Sequence, residues 1–149
     1  SHKVATYDLD PAMSAPEILK TLLEESSNFD AFIVNFANGD MVWHTGVLPA
    51  AIKAVETLDW IVARLLQWSK DENVDILITA DHWNCEEMWP ENSPKTSHTT
   101  NLVPLWYIHD WEPQDNIEKE WWLSDIAPTM LTLFGIDIPE EMTGHSLIK

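Results

Sequence analysis

Asp30-Ala31-Phe32-Ile33-Val34-Asn35-Phe36 is a nearly unbroken apolar run, the pattern of a strand buried on both faces of a parallel sheet. Beyond it, Ile52, Val55, Leu58, Val62 and Leu65 recur at three- and four-residue steps between Leu48 and about Lys70. That spacing predicts a long amphipathic helix packing on the sheet. Val74-Asp75-Ile76-Leu77-Ile78-Thr79 reads as a second buried strand, and Leu102 to Ile108 as a third. Strand, helix, strand in that order predicts an α/β fold, a mainly parallel sheet flanked by helices with right-handed crossovers. On the other side, Val4 to Tyr7 reads as a short strand. Ser14-Ala15-Pro16-Glu17 reads as a helix start, with a capping Ser and Pro in the first turn. Ser124 to Phe134 is a last helix, stopped by Gly135. The polar stretches Glu86–Ser97 and Asp110–Glu120 read as loops.

The 149 residues fit one domain, residues 1–149, with enough apolar content (45%) for a substantial core. The formal charge is −17. Such a surface repels nucleic-acid phosphates and anionic lipid, so neither is expected as a partner, whereas divalent cations are. A single cysteine, Cys85, forms no internal disulfide, in keeping with a reducing cytoplasm. No apolar run approaches the roughly 18 residues that span a bilayer. The chain begins at Ser1 rather than Met, as a fragment would.

Ligands of open α/β sheets gather beyond the carboxyl ends of the strands. Three polar clusters stand at such places: Asn38-Gly39-Asp40-Met41-Val42-Trp43-His44-Thr45-Gly46 after the first strand, Thr79-Ala80-Asp81-His82-Trp83-Asn84 after the second, and Thr96-Ser97-His98-Thr99-Thr100-Asn101 before the third. Carboxylates and imidazoles suit Zn²⁺, Mn²⁺ or Fe²⁺. Asp40 and His44 lie four apart, so one helical turn aims both at one point. Asp81 and His82 are neighbours that converge only in a loop, and His98 approaches from the far side. His2, His109 and His145 lack acidic partners in such a context and read as surface residues.

The same stretches carry a family resemblance. V-A-T-Y-D-L-D-P-A-M-S-A from Val4, V-N-F-A-N-G-D-M-V-W-H-T-G from Val34, T-A-D-H-W-N from Thr79, S-H-T-T-N-L-V-P from Ser97, L-S-D-I-A-P-T-M-L from Leu123 and P-E-E-M-T-G-H-S-L-I from Pro139 resemble the C-terminal part of the cofactor-independent (2,3-bisphosphoglycerate-independent) phosphoglycerate mutases. These belong to the alkaline phosphatase superfamily. The resemblance implies an incomplete alkaline-phosphatase-like domain, without the family's N-terminal segment and inserted phosphotransferase domain. It implies two Mn²⁺ in the complete enzyme, with Mg²⁺, Co²⁺ or Zn²⁺ as substitutes. Asp40, His44 and His98 would hold one ion, and Asp81 and His82 part of the other's shell. Asn38, Thr45, Asn84 and Thr99 would orient the ligand histidines. The implied reaction interconverts 3-phosphoglycerate and 2-phosphoglycerate through a phosphoserine, in the cytoplasm. The nucleophilic Ser lies in a part of the family that this chain does not match, so the chain alone is expected to be inactive. The missing N-terminal part is a possible partner. Two alternatives are a metal-dependent phosphatase-type hydrolase remnant and a non-catalytic module that complements a separate chain.

Tryptophan stands where the family has glycine at Trp43, Trp83 and Trp121, the first two beside implied metal ligands. The chain has 9 Trp and only 4 Gly, where average usage predicts about ten glycines. The combination suggests that the source organism reads UGA as glycine and that these codons were rendered as tryptophan in translating the gene; the alternative is an ordinary Trp-rich core. Glycine at such places permits close backbone approach or positive φ, which an indole does not.

Overall fold

The computed structural model describes residues 2–83, 85 and 97–148. Among these residues four α-helices and a three-stranded sheet follow in the order α1 (Ala15–Glu25), α2 (Asn38–Trp43), α3 (Leu48–Glu72), β1 (Ile76–Ile78), β2 (Trp106–His109), β3 (Glu112–Pro113) and α4 (Ile126–Leu133).

The 25-residue α3, about 37 Å long at 1.5 Å per residue, is the spine. It begins with Pro in its first turn and ends at Asn73, whose left-handed backbone (φ 54°) returns its N–H to the Ser69 carbonyl. Ile61 packs with Ala15 and Leu19 of α1, and Leu23, Phe36 and Leu65 close around them. One turn from its start, Ala50 and Ala54 are small enough for α2 to lie close, burying Val42. Ala51 does the same for Trp43. The helix predicted from Ser14 is present, but the Ser14 side chain makes no capping hydrogen bond. At the other end α4 stops where expected: Gly135 takes φ 67°, and the Ile136 N–H bonds the Leu131 carbonyl at 2.9 Å.

The α/β class holds, but the sheet is not parallel. β1 pairs antiparallel with β2 (Leu77 opposite Tyr107), and β2 with β3 (His109 opposite Glu112). The run Asp30–Phe36 is not a strand, because a ladder needs a neighbour about 4.7–4.9 Å away and no described residue pairs with it. Ile33 is accordingly 91% exposed. The short strand expected at Val4–Tyr7 is absent for the same reason, and Tyr7–Leu9 instead form a single 3-10 turn. The stretch Asp110–Glu120, expected as a loop, contributes β3. The loop expected at Glu86–Ser97 lies almost wholly outside the described residues.

β2 and β3 are joined by Asp110 and Trp111 alone, both with positive φ (50° and 57°). Non-glycine residues pay about 1–2 kcal/mol for that backbone. The Lys70 ammonium lies 4.4 Å from the Trp111 ring centre, a contact that contributes about 0.5–1 kcal/mol at an exposed site. Among the described residues no helix is long and apolar enough to cross a membrane.

Candidate metal centre

The short helix α2 carries the first two candidate ligands. Its place is set by burial of Val42 and Trp43 on α3, and by Asn38, whose amide donates to the Pro11 and Ala12 carbonyls at 2.9 and 2.7 Å. Asp40 sits in the first turn and His44 just past the last. Four residues of helix bring the His44 Nε2 to 3.1 Å from Asp40 Oδ1.

Two histidines from distant segments meet the same oxygen. His98 Nδ1 lies 3.7 Å from Asp40 Oδ1, and His82 Nε2 lies 3.9 Å from it. The His82 and His98 rings are 3.8 Å apart between centres, and His98 meets His44 edge-on at 5.0 Å. One potential donor atom each from Asp40, His44 and His98 fall within 4.8 Å of one another. All three are partly or well exposed to solvent. Asp81 stands apart: its side chain is 81% exposed, and its carboxylate turns back to its own neighbour, accepting the His82 backbone N–H at 3.1 Å.

Thr45 donates to the Val42 carbonyl at 2.6 Å, closing the end of α2. Thr99 accepts the Asn101 backbone N–H at 3.4 Å. The contacts of Asn38 and Thr45 are with backbone, so both serve the local chain path here. Asn84 lies outside the described residues.

The tryptophans next to the cluster differ in setting. Trp43 is fully buried, its ring 5.4 Å from that of His44, and its indole N–H has no hydrogen-bond partner among the described residues. Trp83 donates its indole N–H to the Leu102 carbonyl, and Trp121 is half-buried. None of the three has positive φ. At these positions, of the two reasons for glycine, only close approach applies.

The three histidines read as unpartnered surface residues are exposed, but each has a carboxylate. His2 Nδ1 is 2.6 Å from Asp10. His109 Nδ1 is 2.8 Å from Asp75 Oδ1, while the Tyr107 hydroxyl donates to Asp75 Oδ2 at 3.0 Å. Burial first, then that bond to a carboxylate, push the Tyr107 pKa up to about 12. The hydrogen bond to Asp75 and then its charge raise that of His109.

His145 lies 3.2 Å from both Glu118 and Asp125. Asp125 is 1% exposed. Burial favours its neutral form, but N–H bonds from His145 and Trp122 outweigh this and hold its pKa below the usual carboxylate value. These pairs join residues far apart in sequence, so no spacing announces them.

The chain belongs to the Metalloenzyme superfamily, whose profile matches residues 1–138. The resemblance to cofactor-independent phosphoglycerate mutases is borne out along its whole length. It is 48% identical over 153 residues to the 2,3-bisphosphoglycerate-independent phosphoglycerate mutase of Clostridium novyi (strain NT), covering 100% of this chain and 30% of that protein. The same enzyme of Laribacter hongkongensis (strain HLHK9) is 51% identical over the same shares. The crystal structure of Leishmania mexicana phosphoglycerate mutase at low cobalt concentration matches with a TM-score of 0.80 at 28% identity, over 99% of this chain and 30% of that one. The chain thus spans about 30% of the length of these relatives.

Proposed function

We propose that this chain supplies the Asp40, His44 and His98 side of a divalent-metal centre in a 2,3-bisphosphoglycerate-independent phosphoglycerate mutase. The observation that carries the reading is the convergence of His44 and His98 on one Asp40 oxygen, at 3.1 and 3.7 Å. The donor set fits the metal: a hard carboxylate oxygen with borderline imidazole nitrogens suits Mn²⁺, Co²⁺ or Zn²⁺. The cobalt named for the Leishmania mexicana enzyme is in keeping with it.

Asp40, His44 and His98 hold one ion. His82, 3.9 Å from Asp40, and Asp81 contribute to a second, completed by residues outside this chain. Mn²⁺ bound there supplies Lewis-acid stabilisation of phosphoryl oxygens and a lowered hydroxyl pKa. The residues of this chain fix where the phosphoryl group of 2- or 3-phosphoglycerate rests. The nucleophilic Ser and the substrate-clamping groups belong to the remaining length of the enzyme, so this chain alone isomerises nothing. The setting is glycolysis in the cytoplasm.

Calorimetric titration of Mn²⁺ tests the reading. Wild type should bind, and Asp40→Ala and His44→Ala should each weaken binding at least tenfold. Equal binding by all three would end the metal-site assignment.

A further inference from the structure

The turn between β2 and β3 has only two residues, Asp110 and Trp111, and both adopt positive φ. A two-residue hairpin loop of this kind is a type I′ turn, whose backbone twist matches that of the strands it joins. Its first central position accepts Asp or Asn, and its second is the strongest glycine position among hairpin turns. Asp110 satisfies the first requirement. Trp111, a bulky aromatic in the left-handed region, violates the second.

Nothing around Trp111 accounts for the choice. The ring is half exposed, and the Lys70 ammonium 4.4 Å from its centre returns less than the backbone costs. Elsewhere three of the four glycines stand where backbone or space requires them, Gly39 in α2 being the exception. Gly46 and Gly135 have φ 70° and 67°, and a Cβ on Gly144 would lie 2.2 Å from the Ser124 carbonyl oxygen. An indole N–H without a partner among the described residues does not decide the matter, because Trp43 and Trp68 both have one and Trp68 also packs edge-on against Phe32. The discriminating observation at position 111 is a tryptophan at the second central residue of a two-residue turn with φ 57°.

We infer that position 111 is glycine in the protein made by the source cell, its codon being read there as glycine. Of the five non-glycine residues with positive φ among the described residues (Met13, Asn73, Cys85, Asp110 and Trp111), it is the one tryptophan, and this observation makes no reference to any relative. It is not one of Trp43, Trp83 and Trp121, the positions that the family resemblance marks. Two independent signals therefore point to one decoding rule. The inference does not depend on the proposed function, since the hairpin lies outside the Asp40 cluster.

Peptide mass spectrometry of the full-length protein purified from its source is the direct test. The peptide spanning Asp110 should weigh what glycine at 111 requires, and a mass matching tryptophan overturns the inference. Recombinant full-length protein supplies a second test. Trp111→Gly should slow hydrogen exchange at the Gln114 amide, which bonds the Tyr107 carbonyl at 2.9 Å across the hairpin, by roughly tenfold. Trp111→Ala keeps a Cβ and should not match it. Exchange in the glycine variant as fast as in the Trp111 protein contradicts the inference.

Discussion

Replacing Asp125 with Asn should loosen the C-terminal segment from α4. Asp125 is 1% exposed and accepts the Trp122 N–H at 2.7 Å and the His145 N–H at 2.9 Å. Beside it, the Leu147 N–H bonds Thr129 Oγ1 at 3.0 Å, and Thr129 donates to the Asp125 carbonyl at 2.7 Å. One carboxylate thus anchors the stretch from His145 to Ile148. Asparagine keeps an oxygen for one N–H and turns an NH₂ toward the other. A hydrogen bond to a charged acceptor contributes about 1.5–3 kcal/mol. The side chains of Trp122 and His145 are exposed, so water recovers part of that, and the expected loss is about 2 kcal/mol. At 1.4 kcal/mol per factor of ten, the Leu147 amide should exchange roughly 30-fold faster. The effect should depend on pH. The folded pKa lies below the unfolded one, so the stabilisation is present above the ordinary carboxylate value of 3.8. It is lost as pH falls through the folded value, where wild type and variant converge. Leu147 exchange within threefold of wild type at neutral pH would refute the anchoring role.

Two further perturbations test other contacts. His109 has the opposite sign: its folded pKa is raised, so its ion pair with Asp75 contributes fully below the ordinary value of 6.5. The contribution fades as pH rises through the folded value. Amide protection along β2 should therefore fall over that window in wild type, and stay flat in His109→Gln. Gly144→Ala would set a Cβ 2.2 Å from the Ser124 carbonyl oxygen, forcing one backbone segment off the other at a cost of about 2 kcal/mol. Proteolysis after residue 135 should accelerate about 30-fold, and unchanged resistance would contradict that close approach.

The helices were legible because their signals are local. Periodic Ile, Val and Leu placed the bounds of α3 almost to the residue but not its buried face. Ile52 and Val55 are exposed, while Ala50, Ala51, Ala54 and Ile61 pack on α1 and α2 rather than on the sheet. Ser14-Ala15-Pro16 placed the start of α1 although the Ser makes no cap. The strands were legible only as composition. Asp30–Phe36 has the apolar content of a buried strand, but a strand is defined by its neighbour, and no described residue pairs with it. Parallel pairing was inferred from element order, and order says nothing about which edges meet. Residues four apart on one turn explain why the Asp40–His44 pair was legible. The Asp75–His109 contact joins positions on two strands and leaves no mark in sequence spacing. Trp111 was missed because its signal is a backbone angle, not a motif.

The two halves of the proposed centre should differ in autonomy. α2 takes its place from Val42 on Ala50 and Ala54, and from Asn38 on the Pro11 and Ala12 carbonyls. None of these contacts requires a completed sheet, so Asp40 and His44 are held within the chain as it stands. Asp81 and His82 instead follow β1, a three-residue strand with one neighbour among the described residues, and the Asp81 side chain is 81% exposed. An exposed carboxylate pays rotamer entropy on binding an ion, which a packed one has already paid. The first site should therefore fill without the rest of the enzyme and the second should not. One Mn²⁺ per chain in the calorimetric titration is the expected stoichiometry, and two ions of equal affinity would show that the sheet edge beside β1 needs no partner to organise its ligands.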